Sequence, residues 1–136
     1  MAQLHLKIVT PEKSIFDEKV SQVNVSTETG EIGILPNHVN LMAKVIPGEL
    51  TIKRNGKVEM MAVGSGFLQV TGNTLTIMTD LATYATDIDE RAVEEAKKRA
   101  EQVLTQTLSD EEYAETLANL EKSLAQLRVK RRHRVR

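Results

Sequence analysis

At 136 residues the chain has room for one ordinary domain, or for one small domain and an appendage. Apolar residues at 40% and charged residues at 27% stand near globular averages, which argues against wholesale disorder, and the absence of cysteine excludes disulfides and thiolate metal sites. The formal net charge of −1 hides an uneven layout: Asp87 to Glu121 carries eleven of the nineteen acids, while Arg128 to Arg136 holds six of the eighteen Lys and Arg and no acid.

The first residues, Met1-Ala2-Gln3-Leu4-His5-Leu6-Lys7, alternate at once and lack a continuous apolar stretch, so they do not read as a signal peptide. Nowhere do about 18 apolar residues run together, and a soluble chain is expected. From Leu4 to about Thr79 the dominant period is two, the spacing of strands with one buried face. Leu4, Leu6 and Ile8 alternate with His5, Lys7 and Val9, and Val23 and Val25 flank Asn24. Leu50, Ile52 and Arg54 run into Asn55-Gly56, and Val58, Met60 and Ala62 run out. A type I′ hairpin is predicted there, because Asn and Gly both tolerate positive φ. Leu68 and Val70, Gly72-Asn73, then Leu75 and Ile77 predict a second hairpin. Many short strands at close spacing imply a sandwich or barrel, since one small sheet could not bury this much Val, Ile and Leu.

After Asp87 the period becomes 3.6. Ala92, Val93, Ala96, Ala100, Val103, Leu104 and Leu108 share one helical face, with Asp87 and Glu90 as a capping box. Ser109 and Glu112 repeat that signature and open a second helix. Its stripe of Tyr113, Leu117, Leu120, Leu124 and Leu127 is spaced as an a/d seam, flanked by the small Ala114, Ala118 and Ala125. A short connection near Gln106 to Asp110 predicts antiparallel packing. The expected organisation is α+β: an antiparallel β-sandwich over residues 1–84, then a helical hairpin with a basic end over residues 85–136. About 45 residues lie near the lower limit of independent stability, so the hairpin must lean on the sandwich or on a partner.

No constellation of catalytic residues emerges. Gly64-Ser65-Gly66 lacks the third glycine and the following helix of a dinucleotide loop and reads as a turn or bulge. His5, His38 and His133 stand apart, so no metal site is expected, and His38 in Leu35-Pro36-Asn37-His38 suits a local hydrogen bond. No Gly-x-Ser-x-Gly elbow is present, and helix carboxylates such as Glu94, four before Lys98, read as a solvated face. The basic end is either a solvated tail or a docking site for something acidic. A nucleic-acid-binding accessory role for the Arg-rich end is the rival reading, opposed by two Tyr, two Phe, no Trp and no basic stripe on the β-half.

Three stretches together carry a resemblance: Thr29-Gly30-Glu31-Ile32-Gly33-Ile34-Leu35-Pro36-Asn37-His38 with Leu41 and Pro47-Gly48; Asp87-Ile88-Asp89-Glu90-Arg91-Ala92; and Leu124-Ala125-Gln126-Leu127-Arg128-Val129. In this order and spacing the chain resembles the epsilon subunits of bacterial and chloroplast F-type ATP synthases. The resemblance implies a β-sandwich of about ten strands and a two-helix C-terminal domain. It implies a non-catalytic rotor subunit in the central stalk with the gamma subunit, next to the membrane c-ring. Through its C-terminal helices such a subunit inhibits ATP hydrolysis when the hairpin extends to the catalytic beta and alpha subunits. Glu31 and His38 are the candidates for rotor and stalk contact, and Arg128, Lys130, Arg131 and Arg132 for the inhibitory contact with an acidic loop of beta. Membrane association would come only through the complex, on the cytoplasmic face of a bacterial inner membrane or the stromal side of a thylakoid. Some members bind ATP as a regulatory ligand through Ile/Leu-Asp-x-x-Arg-Ala. Here Ile88-Asp89-Glu90-Arg91-Ala92 has one residue fewer between Asp and Arg, which turns the guanidinium by about 100° around a helix. Asp89, Arg91 and Arg99 are the nucleotide candidates, with an N-terminal acid and a solvated base as the alternative for the first two. No saturable ATP binding and no resident cofactor are expected.

Overall fold

A computed structural model describes residues 3–135, the side chains of Arg134 and Val135 excepted. Met1, Ala2 and the last base, Arg136, lie outside the described residues. Nine strands form one mixed sheet folded on itself: β1 (Leu4–Val9), β2 (Ser14–Val20), β3 (Gln22–Thr27), β4 (Gly30–Ile34), β5 (Leu41–Arg54), β6 (Lys57–Val63), β7 (Gly66–Thr71), β8 (Thr74–Thr79) and β9 (Ala82–Tyr84). The order is β2-β1-β8-β7-β5-β3-β4, with β6 on β5 and β9 on β6. A short 3-10 turn (Ala85–Asp87) leads to α1 (Glu90–Val103) and α2 (Asp110–Val135).

The sheet closes through β5. Leu41–Val45 pairs with β7, whereas Gly48–Arg54 pairs with β6, so one long strand serves both layers. The break falls at Pro47-Gly48, where proline cannot donate to a ladder. Beside it, β3 shifts register between Val25 and Thr27, and the displaced Ser26 hydroxyl sits 3.1 Å from where a Cβ of Gly48 would stand. Sharing of β5 between layers leaves nine strands among the described residues where about ten were expected. A second difference is that β1 lies parallel to β8, with Leu6 opposite Leu75 and Ile8 opposite Ile77. Period-two alternation is the same in parallel and antiparallel ladders, so it carried no sign of this pair. It did select the interior: Leu4, Leu6, Ile8, Val23, Val25, Leu50, Ile52, Leu68, Val70, Leu75 and Ile77 are all buried in one cluster. Both hairpins form at the expected turns. Asn55 and Gly56 both have positive φ, as a I′ turn demands, while at Gly72-Asn73 only the first residue does, as in a II′ turn.

Helix α1 is capped by Asp89 rather than Asp87: the Asp89 carboxylate accepts from Ala92 N–H at 3.2 Å. Asp87 is held in the preceding 3-10 turn, which delays the helix by two residues. At the start of α2 the Ser109 hydroxyl accepts from Glu112 N–H and donates to the Glu112 carboxylate, as the pattern predicted. The helices run antiparallel, since Arg131 near the end of α2 reaches Glu94 near the start of α1. Glu94 therefore faces Arg131, where i,i+4 spacing suggested Lys98.

The a/d seam is only partly right. Tyr113 is 48% exposed and Leu124 39% exposed, while Ser123, Ala125, Leu127 and Val129 are buried. Residues two apart on a helix point about 200° apart, so this alternation means α2 is covered on opposite sides. One side meets the sandwich: Val129 joins Met60, Ala62, Ala85 and Ile88 in a second small cluster, separate from the main core. On the other, Ser123 lines a cleft with Ala96, Ala100 and Val103 of α1.

Candidate functional site

The basic end is not a free tail: it forms the last turns of α2, docked against the sandwich and α1. Lys130 Nζ donates to the Ala85 carbonyl at 3.1 Å. Arg131 Nη2 donates to Glu94 Oε1 at 2.6 Å, and its Nε lies 3.6 Å from Glu90. Arg132 Nη1 donates to Glu49 Oε2 at 2.5 Å. One helical turn earlier Arg128 has no ion pair among the described residues, and it borders a cavity of about 450 Å³ with Glu31, Glu49, Pro47, Val129 and Arg132. Nearer the start of α2, Lys122 pairs with Asp80 at 2.7 Å. Three of the four candidate bases are thus turned toward acceptors of the same chain, and they present no continuous basic stripe of the kind that tracks phosphates.

Glu31 and His38 are placed apart. Glu31 stands opposite Ser26 in the edge strand β4 and lines the cavity beneath α2. His38 lies in the loop after β4, its Nδ1 bonded to the Val39 carbonyl at 2.7 Å, the local role its context suggested. Asn37 N–H donates to the Asn73 side chain at 2.6 Å, and Gly72 N–H donates to that of Asn40 at 3.2 Å, so this loop is tied to the β7–β8 turn.

Around that loop lies a surface that sequence reasoning missed. Val39 is 76% exposed and Met42 71%, with Leu35 also exposed at the loop's start. On the outer face of the same sheet Phe67 and Met78, directly opposite each other, are exposed as well. The available signal was alternation itself: Phe67 precedes the buried Leu68 and Met78 follows the buried Ile77, so both had to face outward. These five exposed large apolar side chains make this face a candidate contact surface.

The nucleotide candidates are not gathered into one cleft. Asp89 is occupied as the α1 cap, Arg91 is exposed, and Arg99 lines the α1–α2 cleft with Lys122 and Gln126. Among the described residues no three His, Asp or Glu side chains stand together as a metal site, and no helix is long and apolar enough to cross a membrane. Gly64-Ser65-Gly66 joins β6 to β7, with Gly64 N–H donating to the Leu81 carbonyl at 2.9 Å.

Two family models cover the chain: "ATP synthase, Delta/Epsilon chain, beta-sandwich domain" over residues 3–85, and "ATP synthase, Delta/Epsilon chain, long alpha-helix domain" over residues 86–131. The ATP synthase epsilon chain of Nitratidesulfovibrio vulgaris is 39% identical over 127 residues, spanning 93% of this chain and 95% of that one. The epsilon chain of Alkalilimnicola ehrlichii is 35% identical over 137 residues, spanning 100% and 98%. Among solved structures, a chain of the Euglena gracilis mitochondrial ATP synthase (OSCP/F1/c-ring) superposes with a TM-score of 0.76 at 23% identity, covering 92% of this chain and 79% of that one. A chain of the Tetrahymena thermophila mitochondrial ATP synthase central stalk and c-ring gives 0.58 at 17% identity, covering 96% and 95%. At these identities the two structures speak for the fold alone. The full-length sequence matches and the two domain models agree: the chain belongs to the ATP synthase Delta/Epsilon family, as a non-catalytic subunit of the epsilon type.

Proposed function

We propose that this chain works in the central stalk of an F-type ATP synthase, with its sandwich bound to gamma beside the c-ring and its hairpin acting as a movable brake on hydrolysis. The observation that carries this reading is the separation of the two apolar clusters. The main core is complete within the sandwich, while α2 rests on the sandwich through a few small side chains and a set of ion pairs. An element held this way exchanges one partner surface for another at modest cost. The exposed Leu35, Val39, Met42, Phe67 and Met78 supply a face for gamma that movement of the hairpin leaves in place. Glu31 and His38 lie on either side of the Leu35 stretch and serve the stalk and rotor contacts. In the extended hairpin, Arg128, Lys130, Arg131 and Arg132 meet acidic residues of the catalytic beta subunit. Membrane association follows from the complex, on its cytoplasmic face.

Co-purification with gamma should be lost on changing Val39 and Met42 to Asp and kept on removing residues 87–136. Hydrolysis by the reconstituted complex should rise on that removal, and also when the four bases are changed together to Ala. Unaltered hydrolysis in both variants would refute the inhibitory role. Retained co-purification of the Val39→Asp, Met42→Asp variant would move gamma to another face.

A further inference from the structure

We infer that three carboxylates outside the last helix, Glu49 on β5, Asp80 after β8 and Glu94 on α1, form the catch that holds α2 docked, the first two on the sandwich and the third on α1. The inference deepens the function proposed above and rests on it only for its effect on hydrolysis. Where α2 meets the sandwich, the apolar contact is small: Val129 packs with Met60, Ala62, Ala85 and Ile88, and Ala125 is buried one turn earlier. Charge surrounds it. Lys122 pairs with Asp80 at 2.7 Å, Arg131 with Glu94 at 2.6 Å and Arg132 with Glu49 at 2.5 Å. From Lys122 to Arg132 these pairs span about 15 Å of helix. They end on three different elements, so they set the rotation and position of α2 as well as its approach. Of the three acids the Glu49 side chain is the most enclosed, at 16% exposed, so it is the one whose charge is least screened when Arg132 leaves.

Arg131 and Arg132 are also among the bases assigned to the catalytic head, and a guanidinium held by Glu94 or Glu49 is not available there. Docked and extended positions therefore compete for the same cations. Replacing a base weakens both positions, so the rise in hydrolysis expected of the four-base variant reports loss of the contact with the head and says nothing of the catch. Replacing an acid weakens only the docked one and releases its base, Arg131 in part because its Nε also lies 3.6 Å from Glu90, so it has a defined sign: more extension and stronger inhibition.

The chain lacks cysteine, so spin labels on a Lys57→Cys, Gln106→Cys full-length protein report a single distance between the β5–β6 turn and the tip of the hairpin. The unchanged background should give one docked distance at low salt. Glu49→Gln, Asp80→Asn and Glu94→Gln together should transfer population to longer distances, by about two- to five-fold per pair lost. The exchange Glu49→Arg with Arg132→Glu should restore the docked distance relative to Glu49→Arg alone, which separates loss of the catch from loss of folding. In the reconstituted complex the triple variant should inhibit hydrolysis more strongly. A distance distribution identical in the unchanged and triple-variant proteins at low and high salt overturns the catch, even if removal of residues 87–136 still relieves inhibition. A shifted distribution with unchanged hydrolysis upholds the catch and removes the inhibitory reading instead.

Discussion

Single atoms explain the glycine pair in the Gly64-Ser65-Gly66 turn. A Cβ on Gly66 would stand 1.8 Å from the Met78 carbonyl oxygen, and no rotamer relieves a clash with backbone. Gly66→Ala must push β7 from β8 and should cost about 3 kcal/mol, read as a lower urea midpoint. At Gly64 the obstacle is Asp80 Oδ1 at 2.1 Å, a side chain that can swing away, so Gly64→Ala should cost about 1 kcal/mol. That swing would also disturb the Lys122–Asp80 pair, loosening α2. Tyr84 offers a test by pH. Partial burial, and then the Glu59 carboxylate, raise its phenol above the usual value. The folded state therefore holds the phenol proton more tightly than the unfolded chain does. This contribution to stability is complete below about pH 10, where an unfolded tyrosine titrates, and is lost as pH rises through the folded value. Denaturant stability from about pH 9 to about pH 11 should fall less steeply for Tyr84→Phe than for the unchanged protein. Parallel curves would contradict the assignment.

Helix α2 shows how an element's packing departs from its apolar stripe. An a/d seam assigns Leu124 and Leu127 equal weight, yet Leu127 is 1% exposed and Leu124 39%. Leu127→Ala should cost about 2–5 kcal/mol because it leaves a cavity in an enclosed site. Leu124→Ala should cost about 1 kcal/mol or less, since water already reaches the side chain. Amide exchange across α1 and α2 measures both, and equal costs would restore the simple seam. The small Ala125 and the hydroxyl of Ser123 are buried where larger residues would hold the helix away, so helix approach depends here on residues that a hydrophobicity pattern ranks low.

At the scale of the molecule, the arrangement of cores decides what survives division. Every buried member of the main cluster lies between Leu4 and Ile77, and Ala82 and Tyr84 pack against it. Residues 1–84 are therefore expected to fold alone, with β-type circular dichroism and a cooperative melt at lower temperature than the full chain, since removal of the hairpin uncovers Met60 and Ala62. A non-cooperative melt would mean that helices and sheet share one core. Surface pairs dominate the remaining contact, so the stability difference between the full chain and the fragment should shrink as salt rises.

Local chemistry carried most of the fold. Alternation identified the buried face of each main strand, Asn55-Gly56 and Gly72-Asn73 located the hairpins, and the change of period near Asp87 separated sheet from helices. These features repeat within a few residues, so a short window of chain contains them. The bases of the candidate site were legible for the same reason, as a run without acids from Arg128 onward. What they touch was not. Arg132 meets Glu49 across 83 residues and Arg131 meets Glu94 across 37. A side chain's partner depends on where two distant elements settle, and a local period says which face is apolar without saying what will cover it. For that reason the parallel β1–β8 pair, the strand β5 shared by two layers and the two covered sides of α2 were decided only when the sheet closed and the hairpin docked upon it.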